Sequence, residues 1–349
     1  PARSAAGFAD ALVAHGLARE RIVTFPLAVR DDSATPDVDE SAWSRNAWDE
    51  KLVADVENAA GFWFTGGDQV RITRSMLGED EQPSPLLQRI RARLNAGAVI
   101  GGSSAGAAIM SREMIAGGVS FTALLNPPTT DYADTEAQDS GRLYLDRGLG
   151  FLPEGLVDQH FDRKARLGRL VRAMAATGQR RGYGIDENTA LQLRLGHDQA
   201  RVLGRGTVTV LDAANARFGF ATPTLASDLE LSVFAPGVTF RRSDLAPVSG
   251  HGDATLGSEY FGYRPTQGGG MAFANTRLDQ ALGYDLLDND SVNTLDRYSI
   301  DEEGNVLVYR FRQAGDSAGF WRSEGSDDRY TASRVRFDIL KRKVELPDH

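Results

Sequence analysis

Ala98-Val99-Ile100-Gly101-Gly102-Ser103-Ser104-Ala105-Gly106-Ala107 decides the reading of this chain. A short apolar run passes into a turn of small residues and then into a segment, Ala107 to Met110, that reads as a short helix. Within it Gly102-Ser103-Ser104-Ala105-Gly106 fits G-x-S-x-G, a strand-to-helix turn whose strained backbone projects a serine hydroxyl. Small residues are needed there for space, and the following helix aims amide N–H groups at a developing oxyanion. A Gly/Ser turn that only reverses the chain also fits the bare motif. The preceding strand, the following helix and the extra small residues favour a nucleophile.

Working outward, Pro85 to Ala96 reads as a helix, with Pro85 in its first turn and Gly97 just past its end. Phe62-Trp63-Phe64-Thr65 reads as a strand closed by Gly66-Gly67-Asp68, with a helix before it over Ala47 to Ala59. Ala5 to Arg19 places Phe8, Leu12 and Val13 at helical spacing and feeds a strand at Ile22-Val23-Thr24-Phe25. Downstream, residues 113 to 150 read as loop, Arg163 to Ala176 as helix, and Thr189 to Leu193 and Thr207 to Val210 as strands. Strands apolar throughout, alternating with helices, predict an α/β fold with a mostly parallel sheet covered on both faces. From about Thr222 the pattern changes, and Val306 to Phe311 and Val335 to Ile339 alternate apolar and polar residues around Gly-rich turns such as Gly268-Gly269-Gly270. The expected organisation is a catalytic α/β domain over 1–221 and a β-rich region over 222–349, with no internal repeat.

Bulk properties narrow the function. The 349 residues exceed what one core usually fills, roughly 250 to 300. At 41% hydrophobic and 25% charged residues the composition is that of a soluble globular protein. No apolar run approaches the roughly 18 residues of a membrane span, and Pro1 to Gly7 lacks a signal pattern. Without cysteine there can be no disulfide, thiolate metal site or cysteine nucleophile, which removes glutamine amidotransfer from consideration. A formal net charge of −9 speaks against nucleic acid and suits a cationic or small substrate.

A serine hydroxyl needs a base within hydrogen-bond reach. Of the five histidines, His15 lies in the first helix, His197 beside a glycine, His251 between glycines and His349 at the end of the sequence. His160, in Val157-Asp158-Gln159-His160-Phe161, stands where an apolar strand turns polar, which is where open α/β sheets place their sites. The base in turn needs a carboxylate to hold its tautomer. Ile185-Asp186-Glu187-Asn188 offers two, of which one can face the histidine because adjacent side chains on extended chain point opposite ways. The order Ser, His, acid fits neither the α/β-hydrolases nor chymotrypsin nor subtilisin. Arg163, Lys164, Arg166 and Arg169 add a cationic cluster after the histidine, suited to clamping carboxylates.

Four motifs now stand in order: Phe64-Thr65-Gly66-Gly67-Asp68-Gln69, Gly101 to Ala107, Asp158-Gln159-His160-Phe161 with Arg166-Leu167-Gly168-Arg169-Leu170, and Gly184-Ile185-Asp186-Glu187. Over roughly residues 1 to 215 the chain resembles the cyanophycinases and related serine peptidases, aspartyl dipeptidases included, that share the class I glutamine amidotransferase-like, flavodoxin-like fold. The resemblance implies a triad of Ser104, His160 and Glu187, which selects Glu187 over Asp186. It also implies oxyanion donors near Gly67 and Ala105, and substrate-binding roles for Gln69, Asp158, Gln159, Lys164, Arg166 and Arg169. The implied substrate is cyanophycin, a poly-aspartate backbone carrying arginine on its side chains, cut to β-aspartyl-arginine dipeptides without metal or organic cofactor. Homodimeric assembly and, by likeness to extended secreted members, extracellular action are further expectations. Two alternatives remain: a peptidase of the same fold acting on short aspartyl or isoaspartyl peptides, and a non-catalytic peptide-binding relative.

The sequence departs from the family in places. Lys164 stands where arginine is common, and Ser103 where threonine usually precedes the nucleophile. The family pattern also has a strand and Gly-rich loop ahead of the opening helix and a longer segment between Phe25 and Phe62, so residues ahead of Pro1 are expected to have been removed or left out.

Overall fold

The computed structural model of the chain describes residues 1–132, 138–266, 268–269, 271 and 277–345. Asp134 and Glu136, within the segment 113 to 150 read as loop, Gly270 and His349 lie outside the described residues. The chain packs as two compact units, residues 1–116 with 146–153, and residues 117–145 with 154–349.

The first unit contains α1 (Ala2–Ala14), β1 (Gly61–Phe64), α2 (Gln69–Met76), α3 (Pro85–Asn95), β2 (Val99–Gly102) and the short α4 (Ala105–Ala108). Its helix starts follow from local chemistry: Asp68 accepts from the N–H groups of Val70 and Arg71, and Ser84 accepts from Leu87 with Pro85 in the first turn. Val70, Met76, Leu87 and Ile109 are fully buried and anchor these elements. β1 and β2 pair in parallel, Gly61 opposite Val99 and Phe64 opposite Gly102. Two expectations fail here. Ile22 to Phe25 forms no strand, and Val23 is 70% exposed, because β-branched residues make a strand only where a ladder partner is in place. The expected helix over Ala47 to Ala59 is instead a 3-10 helix, Glu40–Trp48, and an α-helix, Glu50–Asp55, divided at Asp49, whose carboxylate caps Lys51 and Leu52.

The second unit carries β3 (Leu156–Gln159), α5 (Leu167–Thr177), β4 (Arg181–Ile185), β5 (Val208–Asp212) and β6 (Thr224–Phe234). Beyond them come β7 (Thr294–Ile300), β8 (Asn305–Arg312), β9 (Ala318–Glu324) and β10 (Asp327–Lys343). β3 and β4 pair in parallel; β4 with β5, β5 with β6, and β6 with β10 pair antiparallel. The long β10 also pairs antiparallel with β8 and β9. One sheet thus runs from the strand holding Asp158 and Gln159 into the β-rich C-terminal region, across position 222.

The result is a mixed α/β chain with a β-rich C-terminal region, and the expectation of a mostly parallel sheet is corrected. Among the strands named, only β1 with β2 and β3 with β4 are parallel. The misreading has a physical cause: β5 is buried at all five positions although both its neighbours are antiparallel. An unbroken apolar run reports burial of both faces and carries no information on strand direction. Residues 113 to 150, expected as loop, contain the strands Glu113–Gly117 and Tyr144–Arg147 and the helix Ser120–Leu125. Among the described residues no helix is long and apolar enough to cross a membrane.

Candidate active site

Ser104 sits between β2 and α4 with φ 52° and ψ −117°, outside the regions that L residues favour. Such strain is kept only where the surroundings enforce it. Here Ser103 N–H is tied to Phe64 O at 3.0 Å, while Ser104 O accepts from Ala107 and Ala108 at 2.9 and 3.1 Å. Gly106 is required by close approach, since a Cβ there would lie 2.0 Å from Phe64 O. Gly67, with φ 133°, adopts a backbone that L side chains rarely take. Ala105, fully buried, opens α4 directly after the serine. Gln69 is 2% exposed and donates through Nε2 to Ile115 O and Ala116 O at 3.3 and 3.1 Å.

In the second unit His160 and Glu187 meet. His160 Nδ1 lies 2.7 Å from Glu187 Oε1. Glu187 Oε2 accepts from Arg163 Nη1 at 2.9 Å, and Glu187 N–H donates to Asp162 Oδ1 at 3.2 Å. Both segments rest on left-handed residues, His160 with φ 48° and Asn188 with φ 53°. They are stitched together by Phe161 N–H donating to Ile185 O at 3.1 Å. The hydrogen bond to His160, with help from Arg163, holds Glu187's carboxyl below the usual glutamate range. Asp186 points the other way and accepts from Thr207 N–H and Oγ1 at 2.8 and 2.6 Å. The alternation argued from extended chain therefore separates the two acids.

Burial, reinforced by the like charge of Asp162, pushes the Asp186 carboxyl up to about 7. An unfolded aspartate titrates near 4, so between about pH 4 and about pH 7 the folded chain holds a proton that the unfolded chain has lost. This residue's contribution to stability therefore falls as pH rises through that window and levels off above it. Asp186→Asn abolishes the effect, and its melting temperature relative to the parent is expected to rise between pH 5 and pH 8. Thermal melts of both proteins at the two pH values check this; a difference that does not change with pH refutes it.

Asp158, Gln159, Lys164, Arg166 and Arg169 also assemble in the second unit. Arg169 grips Asp158 in a bidentate pair, Nε to Oδ2 at 2.8 Å and Nη2 to Oδ1 at 2.5 Å, with side chains only 2% and 1% exposed. Its Nη1 donates to Gly118 O at 2.8 Å. Arg166, 4% exposed, donates from Nη1 to Gln159 O and Oε1 at 2.6 and 3.0 Å. Burial, then the neighbouring Arg169, lowers the Arg166 guanidinium to about 10. Asp139 bridges Lys164 Nζ at 2.5 Å and Arg166 Nη2 at 2.6 Å. Burial acts against its charge, but these two cations hold its carboxyl below the usual range. Arg163, by contrast, leaves the cluster for Glu187. Sequence reasoning missed Asp162 and Arg163 as partners of the acid; their positions two and three residues after His160 were the available signal. Among the described residues no three histidine or acidic side chains are grouped to hold a metal ion.

Comparison with known proteins places these motifs. The profile of peptidase family S51 matches residues 44–201. A cyanophycinase of Geminocystis herdmanii is 33% identical over 202 residues, covering 56% of this chain and 67% of that protein. The chain belongs to peptidase family S51. Its relatives also include a cyanophycinase of Synechococcus elongatus, 36% identical over 174 residues, 50% of this chain and 48% of that one. The S51 chain thus spans from about half to two thirds of the length of these curated relatives. A solved peptidase from an acI-B1 actinobacterium is 20% identical and covers 57% of this chain and 66% of that one, at a TM-score of 0.38.

Proposed function

We propose that this chain is a serine peptidase that cuts cyanophycin to β-aspartyl-arginine dipeptides, with Ser104 as nucleophile, His160 as general base and Glu187 as the acid that orients it. The observation that carries the reading is the 2.7 Å contact of His160 Nδ1 with Glu187, in a chain whose Ser104 stands on a strained elbow. With Nδ1 engaged by the carboxylate, Nε2 is the nitrogen that takes the serine proton. Ser104 Oγ attacks the amide carbonyl, and the N–H groups of Gly67 and Ala105 hold the oxyanion, each such donor worth about 2.7 to 4 kcal/mol in the transition state. Collapse passes the proton from Nε2 to the leaving amine. Water then repeats the sequence on the acyl-enzyme.

Gln69, Asp158, Gln159, Lys164, Arg166 and Arg169 are proposed to form the substrate site. They divide by exposure: Lys164, 36% exposed, meets a free carboxylate of the substrate directly, whereas Asp158 and Arg169 satisfy each other and act by holding the site's shape. We further propose that residues 1–221 carry the chemistry, on a class I glutamine amidotransferase-like arrangement, with residues 222–349 as an extension and a homodimer as the working form. The test is incubation of the purified chain with insoluble cyanophycin and mass analysis of the soluble products. Release of β-aspartyl-arginine is expected. Turnover of short β-aspartyl peptides without any attack on the polymer would overturn the substrate assignment.

A further inference from the structure

Glu187 is held from three sides. Beyond its contact with His160, its outer oxygen accepts from Arg163 Nη1 at 2.9 Å and its backbone N–H donates to Asp162 Oδ1 at 3.2 Å. One short turn supplies the imidazole and both braces, closed by Lys164 N–H donating to His160 O at 3.1 Å and Ala165 N–H to Asp162 O at 3.4 Å. His160 and Ala165, at either end of that turn, both have φ 48°. This unfavourable backbone puts Asp162 and Arg163 where they reach the acid rather than continuing into α5, which begins only at Leu167.

Resting on the reading of Glu187 as the triad acid, we infer that Asp162 and Arg163 are positioning residues: Asp162 fixes the acid's main chain and Arg163 fixes the plane of its carboxylate. A glutamate with one hydrogen-bonded oxygen keeps rotational freedom about its side-chain torsions, and a second charge-assisted contact removes it. Stability does not account for the arrangement. Arg163 is 60% exposed, and ion pairs so solvated add little to folding. Among the described residues the charged groups facing Glu187 are His160, Arg163 and Asp162, whose carboxylate accepts from the Glu187 backbone N–H; the neighbouring Asp186 is turned to Thr207.

The experiment measures kcat, KM and melting temperature on cyanophycin for the full chain and for Arg163→Ala, Arg163→Lys, Asp162→Ala and Asp162→Asn, with Glu187→Ala as control. Both alanine variants are expected to lose about tenfold in kcat with KM changed less than about twofold and melting temperature unmoved. Arg163→Lys and Asp162→Asn, which keep the donor and the acceptor, should recover most of the loss. In Arg163→Ala the acid limb of the pH profile should also move to higher pH, because a cation that keeps Glu187 ionised is gone. Unchanged kcat in both alanine variants while Glu187→Ala is inactive overturns this inference alone, as does a rise in KM at constant kcat. Full activity in Glu187→Ala removes the triad reading, and the inference falls with it.

Discussion

Ser104→Ala is expected to reduce kcat on cyanophycin by at least about 10⁴-fold, with the folded state intact. The size follows from the division of labour: without the nucleophile no acyl-enzyme forms, and what remains is catalysis by binding and oxyanion donors alone. The fold should tolerate the change because alanine differs by one oxygen, although it inherits the φ of 52° that serine already bears. Removing a strained residue's only functional atom without relieving its backbone separates chemistry from stability. The measurement pairs initial dipeptide release with a thermal melt. Retained turnover would show that another residue is the nucleophile; lost turnover with a collapsed melt would show that the hydroxyl is structural.

The same residues show what a sequence discloses. Local features were readable because their causes are local: Asp68 caps α2 and Ser84 caps α3, each two or three residues from the N–H groups it satisfies. Opposite orientation of Asp186 and Glu187 was readable too, from the pleat of extended chain. Strand direction was not, as β5 shows, since its five buried residues are compatible with either direction. Nor was the continuity of the C-terminal strands with β4, because ladder partners such as Leu231 and Leu211 are chosen by the assembled sheet and not by either segment. At the site, the cationic cluster was visible as composition, but its sorting was not. Arg169 lies inside on Asp158, Arg163 lies outside on Glu187, and Asp139, read as loop, bridges Lys164 and Arg166.

That sorting sets the largest expected loss of stability. Asp158→Ala leaves the Arg169 guanidinium, 2% exposed, without its carboxylate, and leaves Arg166 without an anion now 3.6 Å away. Breaking one side of so buried a pair costs about 3–5 kcal/mol, because the surviving charge is desolvated and unpaired. Replacing both partners removes that penalty, so Asp158→Leu combined with Arg169→Met should recover most of the loss in urea unfolding. Lys164→Ala, which opens a solvated contact with Asp139, should cost under about 1 kcal/mol. The double variant also decides between two roles that the single variants confound. If Asp158 and Arg169 only hold the shape of the site, the refilled core should bind cyanophycin with KM close to that of the parent. A stable double variant with KM raised about tenfold or more would instead make one of them a direct contact of the substrate, and the buried pair would then have to open for catalysis.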